Sequence, residues 1–199
     1  MTSGPSLTSQ SPQQTQQLGA TLGALLAPGA VIILTGDLGA GKTQFTKGIA
    51  RALGIPAEIT SPTFNIMFAY PPNTPAPAQP PLTHTTPSLS PSSKSAERNT
   101  PAPALYHFDL YRLDHEAELD DIDYFGLLED GTAVSVVEWG DKFSAALPQD
   151  YLAIEFSGNA SGEARGLKVW ATGPHSTALL TRYLEAAAAT QGEGDAPHV

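Results

Sequence analysis

The run Gly36-Asp37-Leu38-Gly39-Ala40-Gly41-Lys42-Thr43 has the spacing G-x-x-x-x-G-K-[ST] of a phosphate-binding loop, or P-loop. Glycines at 36, 39 and 41 let the chain curl so that successive N–H groups point toward one anion. The positive end of a following helix adds to the same field. Lys42 would reach the β- and γ-phosphates of a nucleotide, and the Thr43 hydroxyl would ligate Mg²⁺. The whole run, Asp37, Leu38 and Ala40 included, is therefore the expected nucleotide-binding segment.

A P-loop does not complete a magnesium site by itself. In phosphoryl-transfer sites a carboxylate at the C-terminal end of a neighbouring strand completes it. Asp109 follows Leu105-Tyr106-His107-Phe108, and Glu138 follows Val134-Ser135-Val136-Val137. Each is an acid directly after an apolar run. One would hold the metal while the other orients the attacking water, and the sequence leaves the division open. Lys42, Asp109 and Glu138 form the expected catalytic set, and Thr43, Asp109 and Glu138 the expected metal ligands. Thr63 sits in the loop Thr60-Ser61-Pro62-Thr63-Phe64, where a switch could sense the γ-phosphate. His107 reads as a packed or hydrogen-bonded strand histidine rather than a catalytic one. Arg112 suits a phosphate or partner contact as well as a salt bridge. Trp139 suits either packing over the site or the core. The guanine-reading pattern [NT]-K-x-D is missing, which favours ATP over GTP.

These residues need elements to carry them. Val31-Ile32-Ile33-Leu34 is a short β-branched run that reads as a buried strand. Phe45, Ile49, Ala52 and Leu53 recur at helical spacing after the loop, with Gly54 at the expected C-cap. Ser11-Pro12 signals the start of a helix whose face is Leu18, Leu22, Leu25 and Leu26, running to about Pro28-Gly29. Ile66, Phe68 and Tyr70 share strand parity. Residues 116–130 read as an acidic amphipathic stretch with Leu119, Ile122, Phe125 and Leu128 at helical spacing. Residues 152–156 and 167–171 alternate as a hairpin pair, and Leu179 to Ala187 makes a last helix. Alternating strands and helices predict an α/β domain.

The chain has 199 residues, enough for one domain, which we expect to comprise 11–70 and 104–190. Residues 1–10 and 191–199 read as frayed tails. Residues 71–103 hold ten of the 18 prolines and almost no large apolar side chains. That composition cannot offset its ordering entropy or feed a sheet, so it reads as a loop inserted between two strands. The formal net charge of −10 argues against a protein that grips nucleic acid by its phosphates alone. Cysteine is absent, which removes disulfides and thiolate metal sites. With neither a leader-like start nor a membrane-length apolar run, a cytoplasmic protein is expected.

Gly36–Thr43, then Thr60-Ser61-Pro62-Thr63-Phe64, then His107-Phe108-Asp109-Leu110-Tyr111-Arg112-Leu113 and Glu138-Trp139-Gly140-Asp141 together resemble the TsaE family. These are small bacterial P-loop ATPases needed for threonylcarbamoyladenosine modification of tRNA. The likeness extends over about residues 12–172 and includes Glu118-Leu119-Asp120-Asp121-Ile122. It implies a P-loop NTPase-like three-layer fold, with a mixed central β-sheet flanked by helices. It also implies slow ATP hydrolysis with Mg²⁺ and a heterodimeric partner, the threonylcarbamoyltransferase with its inactive paralogue. Contact with tRNA would then be indirect. The family's metal and water-handling acids correspond to Asp109 and Glu138, its P-loop hydroxyl to Thr43, and its switch threonine to Thr63. Thr15 corresponds to a threonine close to the adenine. The insertion at 71–103 departs from the family pattern. Two competing readings are a small-molecule kinase, which needs an arginine-bearing lid, and a nucleotide switch with negligible turnover.

Overall fold

The computed structural model describes residues 4–72, 103–158 and 164–192. Seven strands form one mixed sheet: β1 (Ser6–Ser9), β2 (Val31–Gly36), β3 (Met67–Tyr70), β4 (Ala104–Asp109), β5 (Ala133–Glu138), β6 (Leu152–Gly158) and β7 (Arg165–Ala171). Their order across the sheet is β1-β7-β6-β2-β5-β4-β3. β2 lies between β5 and β6 and runs parallel to both, and β4 runs parallel to β5. β3, β7 and β1 are added antiparallel at the two edges. The central strands are near-continuous apolar runs because both of their faces are covered. All six residues of β5 are buried.

Strand parity sorts these side chains into two cores. Ile32, Leu34, Val134, Val136, Leu152 and Ile154 face α1 (Pro12–Gly23), α2 (Lys42–Ala52) and α5 (Pro174–Gly192). Val31, Ile33, Phe108 and Val137 face the other way. There they meet Leu119 of α3 (Glu118–Asp121), Tyr124 of α4 (Tyr124–Glu129) and Phe143 and Ala146 of a 3₁₀ segment (Gly140–Ala146). The expected three-layer α/β sandwich is therefore the observed architecture. The parity also places His107, Asp109 and Glu138 on the face that carries α1 and α2.

Several boundaries differ from the sequence reading, each for a local reason. The expected N-terminal tail contains β1, which pairs with β7 from Ser6↔Lys168 to Ser9↔Arg165. Only Leu7 of this strand is apolar, so a main-chain ladder rather than side-chain periodicity makes it a strand. Ser11 caps α1 as expected, accepting the Gln14 N–H at 3.1 Å. The helix stops at Gly23, where the chain tightens into i→i+3 turns (Leu25 N–H to Leu22 O, 2.9 Å) before Pro28. Ile66 lies outside β3 in a left-handed conformation (φ +65°). The acidic stretch is two short helices, because Asp123 between them is also left-handed (φ +51°), which its short polar side chain tolerates. α5 continues to Gly192, past the boundary expected at 190. The proline-rich insertion from 73 to 102, residues 159–163 and the tail from 193 lie outside the described residues.

Candidate active site

β2 delivers the P-loop at its C-terminal end. At Gly36 φ is +116°, and a Cβ there would stand 2.2 Å from the Phe156 carbonyl oxygen of β6. Only glycine lets β2 leave the sheet so tightly. Gly39 and Gly41 also have positive φ, and Gly41 is the residue before α2. Gly41 brings no side-chain cap, so the first N–H groups of α2 keep their donors for a ligand. Asp37, Leu38 and Gly39 form the exposed crest of the loop, and Ala40 lies buried behind it. From β7, Arg165 Nε donates to the Ala40 carbonyl at 3.1 Å and braces the loop from outside.

Lys42 is folded back into this cradle. Its side chain is buried, and Nζ donates to the carbonyls of Gly36 (2.7 Å) and Asp37 (2.9 Å). Nζ also lies 4.1 Å from the centre of the Trp139 ring, a cation–π distance. Burial lowers the lysine pKa. The carboxylates of Glu138, Asp109, Asp141 and Asp37 oppose that shift. Trp139 holds its position with φ +62° and packs against Tyr111, ring centres 5.1 Å apart. Trp139 thus meets both expectations left for it, lying over Lys42 and packing against the second core.

Asp109 and Glu138 are register partners at the ends of β4 and β5, and both are buried. They do different things. Glu138 stands on the strand next to the P-loop strand and accepts the Thr43 hydroxyl at Oε1, 3.0 Å away. The same oxygen lies 2.9 Å from His107 Nε2. Asp109, one strand further out, holds the 60–64 loop. Its Oδ2 accepts Ser61 Oγ at 2.9 Å and also the Thr63 hydroxyl, while Oδ1 accepts the Tyr111 N–H at 3.1 Å. Thr15 is buried behind the loop with its methyl 3.7 Å from the position of a Gly41 Cβ. Its hydroxyl is taken up by Ser9 Oγ (2.8 Å) and the Ser11 carbonyl (3.2 Å).

The expected residues therefore converge on one end of the sheet. The arrangement has an anion cradle, a cation, a hydroxyl and two carboxylates. Among the described residues no three His, Cys, Asp or Glu side chains cluster as a metal cage. That donor set suits Mg²⁺ delivered with a nucleotide, since Mg²⁺ keeps waters and phosphate oxygens and needs only one or two protein ligands. Ser61, Arg165 and the His107–Glu138 contact escaped the sequence reading, because each depends on which strands are neighbours. Arg112 forms no salt bridge among the described residues; its guanidinium stacks on the exposed Phe64, 4.2 Å from the ring centre.

A family model described as threonylcarbamoyl adenosine biosynthesis protein TsaE matches residues 9–86 and 81–166. This chain belongs to the TsaE family. A curated TsaE protein from Treponema pallidum is 37% identical over 156 residues, covering 77% of this chain and 92% of the relative. One from Bacillus subtilis is 35% identical over 144 residues, 72% of this chain and 71% of the relative. Both carry the name tRNA threonylcarbamoyladenosine biosynthesis protein. The crystal structure of YdiB from B. subtilis superposes with a TM-score of 0.63 at 28% identity, covering 93% of this chain and 97% of YdiB. This TsaE family member therefore has the P-loop NTPase-like fold, and its family works in tRNA threonylcarbamoyladenosine biosynthesis. No helix among the described residues is long and apolar enough to cross a membrane.

Proposed function

We propose that this chain is the Mg²⁺-dependent ATPase of tRNA threonylcarbamoyladenosine biosynthesis. In its ATP state it binds the heterodimer of the threonylcarbamoyltransferase and its inactive paralogue, and hydrolysis supports repeated catalytic cycles. The reading rests chiefly on one contact, the Thr43 hydroxyl donated to Glu138 Oε1 at the end of the strand beside the P-loop. A threonine held this way donates its hydroxyl hydrogen bond to the carboxylate and keeps its lone pairs available for a cation. Mg²⁺ bound with ATP supplies neutralisation of charge on the β- and γ-phosphates.

The chain's own groups then divide the work. Lys42 exchanges the carbonyls of Gly36 and Asp37 for phosphate oxygens, and the N–H groups at the start of α2, left without a side-chain cap, bind the same anion. Glu138 holds Thr43 and orients water close to the metal. Asp109 holds Thr63 and Ser61, so the 60–64 loop answers to whatever occupies the carboxylate pair. Thr15 lines the side of the loop toward the adenine. We place the protein in the cytoplasm, with its partners carrying the tRNA contact, as a net charge of −10 favours. The test is ATP hydrolysis by the purified full chain, with and without Mg²⁺ and the heterodimer. Slow Mg²⁺-dependent turnover that rises with heterodimer is expected. Tight ATP binding with no response to the heterodimer would overturn the partner assignment.

A further inference from the structure

His107 is fully buried on β4, one strand in from the sheet edge, yet it is polar and belongs to none of the roles above. Its Nε2 lies 2.9 Å from Glu138 Oε1 across the β4–β5 pair. That same oxygen accepts the Thr43 hydroxyl at 3.0 Å. A carboxylate oxygen only accepts, so Nε2 must carry a proton. Nδ1, on the other side of the ring, has no hydrogen-bond partner among the described residues although it is buried. A proton there would be an unpaired donor in the interior, which costs more than a bare lone pair. The surroundings therefore select the tautomer with its hydrogen on Nε2.

We infer that His107 is a positioning residue for Glu138. It fixes the carboxylate's rotation so that Oε1 lies between His107 and Thr43, with Oε2 3.4 Å from the same Thr43 hydroxyl. The inference deepens the ATPase reading and rests on it for the consequence, though not for the geometry. Two donors on one oxygen immobilise a side chain that otherwise has free rotation about its last bond. The same logic lets groups behind a metal site tune ligands they do not replace, at a cost of about 10–100-fold when removed. Leucine at 107 would fill the space and lose the donor. Glutamine would keep an N–H at about the same reach from the main chain.

The test combines three readouts on the full-length protein. In His107→Leu, kcat for Mg²⁺-ATP should fall by about 10–100-fold and the Mg²⁺ concentration at half-maximal turnover should rise. Affinity for ATP measured in EDTA should stay near that of wild type, because the P-loop is untouched. His107→Gln should recover most of the loss. Equal defects in the leucine and glutamine variants, or an unchanged kcat and Mg²⁺ dependence in both, would overturn the role. ¹⁵N NMR of labelled histidines needs neither turnover nor a variant at 107. Wild type should show a buried Nε2–H tautomer that loses its preference in Glu138→Ala. A Nδ1–H tautomer in wild type refutes the contact even if the chain hydrolyses nothing. A correct tautomer in a chain without ATPase activity faults the ATPase reading instead.

Discussion

Glycine does for the P-loop helix what it does for the loop itself, and Gly48→Ala measures how much. α1 and α2 cross at close range through Gly19, Gly23 and Gly48. A Cβ on Gly48 would stand 2.0 Å from the Gln16 carbonyl oxygen and 2.7 Å from the Ala20 nitrogen. From the other side, a Cβ on Gly19 would stand 2.1 Å from the Phe45 carbonyl oxygen. Ordinary contacts begin at 3.4 Å, so the helices must part by about 1 Å, and main-chain atoms cannot rotate away as a side chain would. Alanine gains about 1 kcal/mol over glycine in a helix interior. Overpacking of this kind costs about 1–3 kcal/mol, and contact with backbone places it at the upper end. The net expectation is a destabilisation of about 1–2 kcal/mol, or a Tm fall of about 2–8 °C in a domain this size. Scanning calorimetry on the full chain reads it directly. Gly19→Ala should act in the same direction, and the double variant should lose less than the sum because one parting relieves both clashes. A Gly48→Ala protein as stable as wild type, or more so, would mean that propensity wins and the helices do not meet as described.

Three further outcomes follow from the same geometry. Thr43→Val removes the hydroxyl proposed to ligate Mg²⁺ and should cut Mg²⁺-dependent ATP affinity about tenfold or more while Thr43→Ser retains it, as titration calorimetry would show. Thr63→Val should leave Ser61 as the one hydroxyl tying the 60–64 loop to Asp109, so amide exchange across residues 60–66 should quicken while β4 stays protected. Burial pushes the Tyr124 hydroxyl up to about 12. The folded state then keeps a proton that the unfolded chain releases near pH 10, so stability should be full below pH 10 and decline from there toward pH 12. Urea titrations in that window should show a shallower decline for Tyr124→Phe, and an identical decline would remove Tyr124 as its source.

Much of the chemistry was legible because it is local. The P-loop, its flanking strand and its helix follow from glycine spacing and a β-branched run. Asp109 and Glu138 are marked by their place at the ends of apolar runs. What was not legible depends on neighbours in space. β1 is a strand because β7 offers an edge to Ser6–Ser9, and nothing in Ser-Leu-Thr-Ser announces it. The separate duties of the two acids follow from strand order, since β5 adjoins β2 and β4 does not. Strand parity put His107 on the face of Asp109, but only the β4–β5 register brings its ring to Glu138. The left-handed Ile66 and Trp139 are held by tertiary packing against ordinary propensity.

Single-turnover hydrolysis of prebound ATP, in wild type and Glu138→Ala side by side, tests the central claim most directly. The P-loop donors, Lys42 and Thr43 remain in the variant, so ATP should stay bound. With Glu138 gone, water lacks its orienting group and Thr43 its acceptor, so ADP should fail to form on the wild-type time scale. Hydrolysis at the wild-type rate by Glu138→Ala would contradict the role given to the carboxylate pair.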